Sequence, residues 1–251
     1  MTKTDMTVRL FSSDLDGTLL GDPAAVLRFR DFWHSLHPEK RPLLLYNSGR
    51  LIDDMTAIVS QSGLPEPDLY IGGVGTMLAG GYPDLDHSRF RTMLGDAFDV
   101  AAIEATMRAI PGVERQPDEF QHGFKSSWYL RDAGEAEIRE IEQRLRESGH
   151  DAKLVYSSNR DLDVLPGKAD KGQALAWVCD GLGIGLDAVV VAGDTGNDVE
   201  MFRLSGVRGI VVGNALGELV EIAAREKRHY RASATIADGV IEGLIHWGVA
   251  H

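Results

Sequence analysis

Short apolar runs alternate with amphipathic stretches along most of this chain. Strands are predicted at 8–13, where Val8, Leu10 and Phe11 are apolar, and at 43–46, 69–71, 188–192 and 209–212. The continuous run at 43–46 is typical of a strand buried on both faces of a parallel sheet. Between and after them, hydrophobic residues recur at three- and four-residue steps, which predicts helices over 23–36, 51–62, 171–182, 199–204, 216–224 and 237–247. Strands that alternate with helices through short connections predict an α/β fold with a doubly wound parallel sheet.

The pattern changes between residues 80 and 166. A turn-like segment at 80–83 precedes predicted helices at 86–94 and 100–109, an aromatic-rich strand at 124–130, a charged helix at 135–147 and a hairpin of strands at 152–156 and 161–165. This α+β pattern predicts an inserted domain at 80–166. The first domain is then discontinuous, formed by residues 1–79 and 167–251.

Two carboxylates follow the first predicted strand. Asp14 and Asp16 are two residues apart in the segment Asp-Leu-Asp-Gly-Thr, so an extended backbone directs both to the same side. Ligand sites in open α/β sheets lie at the carboxyl ends of strands. Close carboxylates repel unless a cation lies between them or one holds a proton. Such a pair suits chemistry in which one carboxylate attacks and the other handles protons.

A second pair of carboxylates, Asp194 and Asp198, follows the strand at 188–192. With Asp14 and Asp16 it makes four carboxylates near one sheet edge. That density favours a hard divalent cation, and Mg²⁺ is the usual one beside a phosphate. Turn and N-cap roles for Asp194 and Asp198 are the alternative, and the residues alone leave it open.

Groups suited to binding an anion follow other strands. Ser48 ends the strand at 43–46 and Arg50 is predicted to open the next helix, a combination that favours an anion site, with a plain Ser48 N-cap as the alternative. Lys168 or Lys171 could neutralise the carboxylates and bind a phosphoryl oxygen. For either lysine, the alternative is a solvated helix start.

Charge and composition limit the classes of molecule that the protein can bind. The 251 residues carry a formal net charge of −12, which argues against nucleic acid and anionic membranes as partners. A phosphate ester would then need local positive charge. The single cysteine, Cys179, excludes an internal disulfide, and no apolar run approaches a signal peptide or the ~20 residues of a membrane span. These features predict a cytoplasmic protein. The oligomeric state stays open, and a monomer is compatible with the sequence.

Four segments occur in the order found in the haloacid dehalogenase (HAD) superfamily of phosphatases. Residues 14–18 resemble its nucleophile motif, and the segments at 47–50, 171–175 and 193–198 resemble its Ser, Lys and acidic motifs. The lysine segment, Lys-Gly-Gln-Ala-Leu, selects Lys171 over Lys168. The large insertion resembles the C2 cap, type B.

The cap narrows the resemblance to sucrose-phosphate phosphatases. Residues 73–76, 124–130 and 156–166 are similar to segments of that family, with departures at Trp128 and at Asn159, where the family commonly has Gly. Mannosylfructose-phosphate phosphatases are expected to share these motifs. The resemblance therefore implies a disaccharide phosphate as the small-molecule substrate, either sucrose 6-phosphate or mannosylfructose phosphate.

The resemblance also implies roles. Asp14 is the nucleophile, Asp16 the general acid and base, and Ser48 and Lys171 bind phosphoryl oxygens. Mg²⁺ is held by Asp14, the main-chain carbonyl of Asp16 and Asp194, with Asp198 in support. Further predicted contacts with phosphate or substrate are Gly49, Arg50, Lys125, Arg160, Asp161, Asn197 and Asn214.

Alternation along residues 124–130 decides between the cap candidates. Trp128 shares one face with Phe124, Ser126 and Leu130, and this face is predicted to pack on the cap helices. Lys125 then lies on the open face and is the strongest predicted sugar contact. Gln121 and His122 are weaker candidates.

Two other functions stay open. The chain could be a catalytically silent sugar-phosphate-binding regulatory protein, although such a protein would be expected to lose an aspartate that is present here. It could also be a HAD phosphatase for another small phosphate ester. A phosphotransferase or mutase is disfavoured by the large cap. Two short linkers make cap closure a reasonable hypothesis.

Overall fold

A seven-stranded sheet carries the larger part of the molecule in the computed structural model, which describes residues 7–82, 85–95 and 98–250. Its strands are β1 (Leu10–Ser13), β2 (Leu43–Asn47), β3 (Leu69–Gly72), β4 (Met77–Gly80), β9 (Val189–Gly193), β10 (Arg208–Val211) and β11 (His229–Arg231), in the order β11-β10-β9-β1-β2-β3-β4. All neighbours are parallel except β3 and β4. The predicted doubly wound parallel sheet is confirmed.

Helices cover both faces of this sheet. They are α1 (Pro23–Ser35), α2 (Ile52–Ser62), α6 (Lys171–Gly181), α7 (Val199–Arg203), α8 (Gly217–Arg225) and α9 (Ile236–His246). Successive residues of β1 point to opposite faces, so Leu10 and Phe11 belong to two separate apolar cores. β1 lies between β9 and β2 as the fourth of seven strands, so its carboxyl end lies in the middle of the sheet.

A second sheet lies in the segment between β4 and α6. It is antiparallel, with strands β5 (Glu114–Arg115), β6 (Ser126–Tyr129), β7 (Ala152–Ser157) and β8 (Asp161–Pro166) in the order β5-β6-β8-β7. Helices α4 (Val100–Arg108) and α5 (Glu135–Glu147) contribute Ile103 and Leu145 to its core, where Trp128 is buried and its indole N–H donates to Ser126 Oγ at 2.8 Å. The predicted packing of Trp128 on the cap helices is confirmed.

Three short strands escaped the sequence patterns. β4, β5 and β11 are two to four residues long and lie at sheet edges. β5 and β11 are mostly polar, and the short apolar run of β4 directly precedes the segment predicted to be turn-like. The segment predicted to be turn-like, 80–83, begins at the last residue of β4, and its residue 83 lies outside the described residues.

Helix α3 (His87–Leu94) connects the two sheets. It belongs to the predicted inserted domain, but the Phe90 ring lies 5.1 Å from the Trp177 ring of α6 and packs on the core of the larger sheet. The predicted boundaries of the two domains stay a prediction. Residues 1–6 and 251 of the predicted first domain lie outside the described residues. Within the described ranges, no helix is long and apolar enough to cross a membrane.

Candidate active site

Four buried charged side chains meet where β1 and β9 end. Lys171, the first residue of α6, is completely buried, and its ammonium donates to Asp14 Oδ1 and to Asp198 Oδ1, both at 2.7 Å. Asp194, one residue beyond β9, completes the group. The main chain brings these segments together, because the Asp14 N–H donates to the Ala192 carbonyl at 3.0 Å. The tertiary fold thus joins an aspartate and a lysine that are 157 residues apart.

Negative charge exceeds positive charge in this cluster. Burial raises the pKa of Asp14 well above its usual value, and Asp198 and Asp194 add to the effect while Lys171 opposes it. Burial and the charge of Asp198 raise the pKa of Asp194 to about 7. Burial alone would lower the pKa of Lys171, but Asp14 and Asp198 outweigh it and raise that pKa. One lysine therefore does not balance three carboxylates.

The oxygen atoms of the cluster fit a divalent cation. Asp14, Asp194 and Asp198 each offer one carboxylate oxygen, and these oxygens lie within 4.8 Å of one another. Gly17, with φ of +75°, lines the same place, and a Cβ on it would lie 2.2 Å from Asp194 Oδ2. An oxygen-only donor set whose members repel one another suits a hard cation.

Asp198 is held more firmly than the other two carboxylates. Its Oδ2 accepts from the N–H groups of Asp194 and Thr195 at 2.9 and 3.2 Å, and its Oδ1 accepts from Lys171. Thr18 Oγ1 donates to Asp194 Oδ1 at 3.2 Å. The turn role proposed for Asp198 is also present, because its carboxylate completes a capping box in which Thr195 is the N-cap of a 3₁₀ turn. At the N-cap of α7, Asp198 itself makes no side-chain capping bond. A turn role and membership of the cluster coexist in one side chain.

Asp16 differs from Asp14. Both line the same cleft, as predicted, but the Asp16 side chain is 53% exposed and both its oxygens accept from Arg50 at 2.7 Å. Arg50 also donates to Asp54 at 2.7 Å, so two carboxylates already balance its charge. The carboxylate of Asp16 therefore lies outside the trio, and a metal contact through its main-chain carbonyl stays a prediction.

The segment after β2 also needs correction. Helix α2 begins at Ile52 with Leu51 as N-cap, so the expectation that Arg50 opens this helix is wrong. Ser48 is not its N-cap either. The Ser48 hydroxyl is buried, accepts from the Arg50 N–H at 3.2 Å and lines the cleft beside Gly49.

A cleft of about 580 Å³ separates the carboxylate cluster from the open face of the second sheet. Its core side includes Asp14, Asp16, Ser48, Gly49, Arg50, Asp194 and Asn197. Its cap side is formed by Gln116, Phe120, Lys125, Tyr129, Ser157, Ser158, Arg160, Asp161 and Asp163. The prediction that Lys125 lies on the open face is confirmed.

Hydrogen bonds hold the cap side chains in place. Lys125 is 4% exposed, and its Nζ lies 3.2 Å from Asp163 Oδ1, which also accepts from Ser127 Oγ at 2.7 Å. Asp161 accepts from Gln116 Nε2 at 3.1 Å and from two nitrogens of Arg160 at 3.0 Å. This part of the cap wall is thus built from charge pairs.

Tyr129 forms an aromatic surface in the same wall. The guanidinium carbons of Arg160 and Arg131 lie 5.5 and 5.8 Å from its ring centroid. These are cation–π distances, so the two arginines help to fix the ring.

Some predicted residues lie elsewhere. Among the described residues, Asn214 does not line the cleft: its amide donates to the Gly17 carbonyl at 2.8 Å and its Oδ1 accepts from the Ile236 N–H. Lys168 is exposed, in agreement with the choice of Lys171. Gln121 bonds the backbone of Gln116 and Ser127, and His122 lines a separate cavity.

Sequence reasoning missed several residues of the cleft. Tyr129 and Asp163 could have been found, because period-two alternation puts them on the faces of Lys125 and Asp161. Gln116 and Phe120 carried no pattern, since they lie beside a two-residue strand and in a short 3₁₀ turn.

The departure at Asn159 has a backbone explanation. Ser158 and Asn159 have φ of +54° and +51°, and the Arg160 N–H donates to the Ser157 carbonyl at 3.1 Å. This is a type I′ hairpin turn, in which Asn is well tolerated in place of Gly. The tip of the hairpin is therefore a tight two-residue turn beside the cleft.

The doubly wound sheet, the aspartate at the end of its first strand, the buried lysine and the inserted cap together define a phosphatase of the HAD type. Residues 7–248 match the model of the family described as sucrose-6F-phosphate phosphohydrolase, and the chain belongs to that family. It is accordingly a sugar-phosphate phosphatase, and its family implies a divalent metal that the carboxylate trio could bind.

Two curated relatives and one solved structure extend the match. The chain is 53% identical to the mannosylfructose-phosphate phosphatase of Agrobacterium fabrum (strain C58 / ATCC 33970), over 96% of this chain and 98% of that protein. It is 30% identical to the probable sucrose-phosphatase 2 of Arabidopsis thaliana, over 94% of this chain and 58% of that protein. The sucrose-phosphatase of Synechocystis sp. PCC6803, solved in complex with sucrose and phosphate, superposes with a TM-score of 0.86 at 27% identity, covering 96% of this chain and 98% of the other.

Proposed function

We propose that this protein hydrolyses mannosylfructose phosphate, with Mg²⁺ as its metal and residues 80–166 as its cap. The observation that carries the substrate is the 53% identity with a mannosylfructose-phosphate phosphatase along 98% of that protein. The cleft of about 580 Å³ supports a substrate of this size, because small-molecule sites measure about 300–1,000 Å³. Its two walls also suit a phosphate at the core and sugar rings at the cap.

Asp14 acts as the nucleophile in the first step. One of its carboxylate oxygens attacks phosphorus and forms an aspartyl-phosphate, while the bond from phosphorus to the sugar oxygen breaks. Asp16 gives a proton to that sugar oxygen as it leaves. Because both oxygens of Asp16 are paired with Arg50, the protonated acid must first separate from this arginine.

Water completes the reaction in the second step. Asp16 takes a proton from a water molecule while the oxygen of that water attacks phosphorus. The bond between phosphorus and the Asp14 carboxylate then breaks, and inorganic phosphate is released. Lys171 and Ser48 bind the oxygens of the transferring group, and Gly49, Arg50 and Asn197 border them. When bound, Mg²⁺ supplies further positive charge to this group, and Asp14, the Asp16 carbonyl and Asp194 would hold it, with Asp198 as support.

The cap side chains bind the sugar. Lys125, Arg160 and Asp161 offer charged hydrogen-bonding groups, and Tyr129 offers a ring face for the C–H surface of a sugar. Asn214 acts more remotely, because its amide holds the carbonyl of Gly17 beside the trio.

A substrate panel tests the proposal. Phosphate release is measured from mannosylfructose phosphate, sucrose 6-phosphate, glucose 6-phosphate, fructose 6-phosphate and p-nitrophenyl phosphate, with Mg²⁺ and with EDTA. We expect the highest kcat/KM for mannosylfructose phosphate and loss of turnover in EDTA that added Mg²⁺ restores. A higher kcat/KM for sucrose 6-phosphate than for mannosylfructose phosphate would make sucrose 6-phosphate the preferred substrate. Turnover that persists in EDTA would refute the requirement for a divalent metal. Binding of a disaccharide phosphate without any turnover would support the silent regulatory protein instead.

A further inference from the structure

The larger sheet and the cap sheet approach each other at the N-terminus of α6. On the side of the larger sheet lies the loop at 73–76, which links β3 to β4. There Gly75, with φ of +89°, approaches so closely that a Cβ on it would lie 2.2 Å from the Asp170 carbonyl oxygen and 3.0 Å from the Lys171 nitrogen. The chain connection at 167–170, which leads from cap strand β8 directly into α6, lies at the same place. The loop and this connection therefore meet beside Lys171.

The loop at 73–76 also supports the segment of Ser48. The Val74 N–H donates to the Ser48 carbonyl at 3.1 Å, and the Gly73 N–H donates to the Arg50 carbonyl at 2.8 Å. Val74 has φ of +57°, an outlier for a β-branched residue, and is completely buried. Such strain persists only where the surroundings impose it, so this meeting point is rigid.

One ion pair links the cap sheet to the same point. Lys153 on β7 places its Nζ 2.5 Å from Asp170 Oδ2. The other oxygen of Asp170 accepts from the Gln173 N–H at 2.6 Å, which makes Asp170 the N-cap of α6. The Asp170 side chain is 6% exposed and that of Lys153 is 27% exposed, so water screens this pair less than a surface pair.

We infer that the Lys153–Asp170 pair positions the cap sheet over the catalytic cluster. A rotation about the meeting point would shift Lys125 and Tyr129 relative to Asp14 while leaving Lys171 nearly in place. Lys153 lies on the cap side of that point, and its bond to Asp170 opposes the rotation. Neither Lys153 nor Asp170 is among the described residues that line the cleft. The pair therefore acts on the substrate indirectly, by positioning the cap side chains. The inference rests on the proposed function, because it requires a substrate whose sugar contacts the cap.

The test compares two substrates in matched variants. Lys153→Met removes the charge and keeps the length of the side chain, Lys153→Arg keeps the charge, and Lys168→Met removes an exposed lysine from the neighbouring connection. For Lys153→Met we expect kcat/KM for mannosylfructose phosphate to fall about fivefold while that for p-nitrophenyl phosphate changes less than about twofold. Lys153→Arg and Lys168→Met should match the wild type on both substrates.

Other results would overturn the inference. An equal loss on both substrates would mean that the pair only supports α6, and no loss on either would mean that it is dispensable. If Lys153→Met fails to fold, Asp170→Asn serves in its place, because it keeps an oxygen for the Gln173 N–H and loses the charge.

A distance measurement separates this inference from the substrate assignment. Burial raises the pKa of the single cysteine, Cys179, to about 12, so spin labels can be directed to His34→Cys on the larger domain and Glu147→Cys on the cap, both exposed. Pulsed electron paramagnetic resonance should give a broader distance distribution with Lys153→Met than with Lys168→Met. Equal distributions would overturn the inference, whichever sugar phosphate the enzyme prefers.

Discussion

The carboxylate cluster and the cap wall face each other across one cleft but are built in different ways. In the cluster, Lys171 is completely buried and bonded at 2.7 Å to aspartates from two remote segments. In the cap wall, Lys125, Tyr129 and Asp163 lie at alternate positions of paired strands. The cap wall also holds a buried charge pair, Lys125 with Asp163, but it lies across the cleft from the nucleophile. We therefore expect changes in the cluster to impair every substrate, and changes in the cap wall to impair only substrates that reach the cap.

Removal of the nucleophile is the change from which we expect the largest effect, and it should affect both substrates equally. Asp14→Asn should lower kcat on mannosylfructose phosphate and on p-nitrophenyl phosphate alike, by about 10⁴-fold or more, because no other group can form the covalent intermediate. Steady-state phosphate release checks this, and circular dichroism confirms the fold. Residual turnover within about tenfold of wild type would assign the nucleophile to another residue.

Removing the buried cap lysine should instead separate the substrates. Lys125→Met should lower kcat/KM for mannosylfructose phosphate about 100-fold and leave that for p-nitrophenyl phosphate within about threefold. The double variant Lys125→Met/Asp163→Asn is the control, because it leaves no unpaired carboxylate beside Ser127. If the double variant recovers wild-type activity, Lys125 serves to neutralise Asp163 and does not bind the sugar.

The aromatic surface of the cap should matter less. Tyr129→Ala should raise KM for mannosylfructose phosphate about tenfold, while Tyr129→Phe, which keeps the ring between the two arginines, should stay within about twofold of wild type. Equal effects of both variants would show that the hydroxyl, and not the ring face, binds the sugar.

A carboxylate outside both regions should change stability and leave activity intact. Glu242 on α9 accepts from the Tyr230 hydroxyl at 2.7 Å and from the N–H groups of Ser233 and Ala234 at 3.0 and 2.9 Å. Burial alone would raise its pKa, but these bonds outweigh burial and lower the pKa from its usual 4.5 to about 2. The folded state thus binds fewer protons, so this stabilisation is fully present above pH 4.5 and is lost as the pH falls towards 2.

Urea unfolding measures this effect. Glu242→Gln should lower the free energy of unfolding at pH 7 by about 1–2 kcal/mol, and the difference from wild type should shrink at pH 4 and below. Turnover of p-nitrophenyl phosphate at pH 7 should not change. A difference that stays constant between pH 7 and pH 3 would mean that the charge of Glu242 contributes nothing.

Local patterns predicted the parts of the fold that repeat. The central strands β1, β2, β3, β9 and β10 were found because each contains or follows a short group of apolar residues. Period-two alternation correctly put Trp128 in the cap core and Lys125 on the open face. Edge strands β5 and β11 and the neighbouring Gln116 carried no such signal, because two or three residues of mostly polar character do not form a period.

Charge pairing was decided by geometry that no local pattern contains. The sequence predicted that Arg50 contributes to an anion-binding site. In the structure, Arg50 donates to both carboxylate oxygens of Asp16 and to Asp54. Similarly, the amide of Asn214 holds the Gly17 carbonyl instead of lining the cleft.

The sequence alone thus determined the class of fold, the four motif segments and the side chains able to perform phosphoryl transfer, because strand burial and motif spacing are local properties. Only the tertiary structure decided which charges meet, for it brought Lys171 between Asp14 and Asp198 and left Asp16 outside with Arg50. It also joined Lys153 of the cap to Asp170 at the start of α6. Ion pairs between remote segments depend on three-dimensional approach to within about 3 Å, and separation along the chain carries no information about that approach.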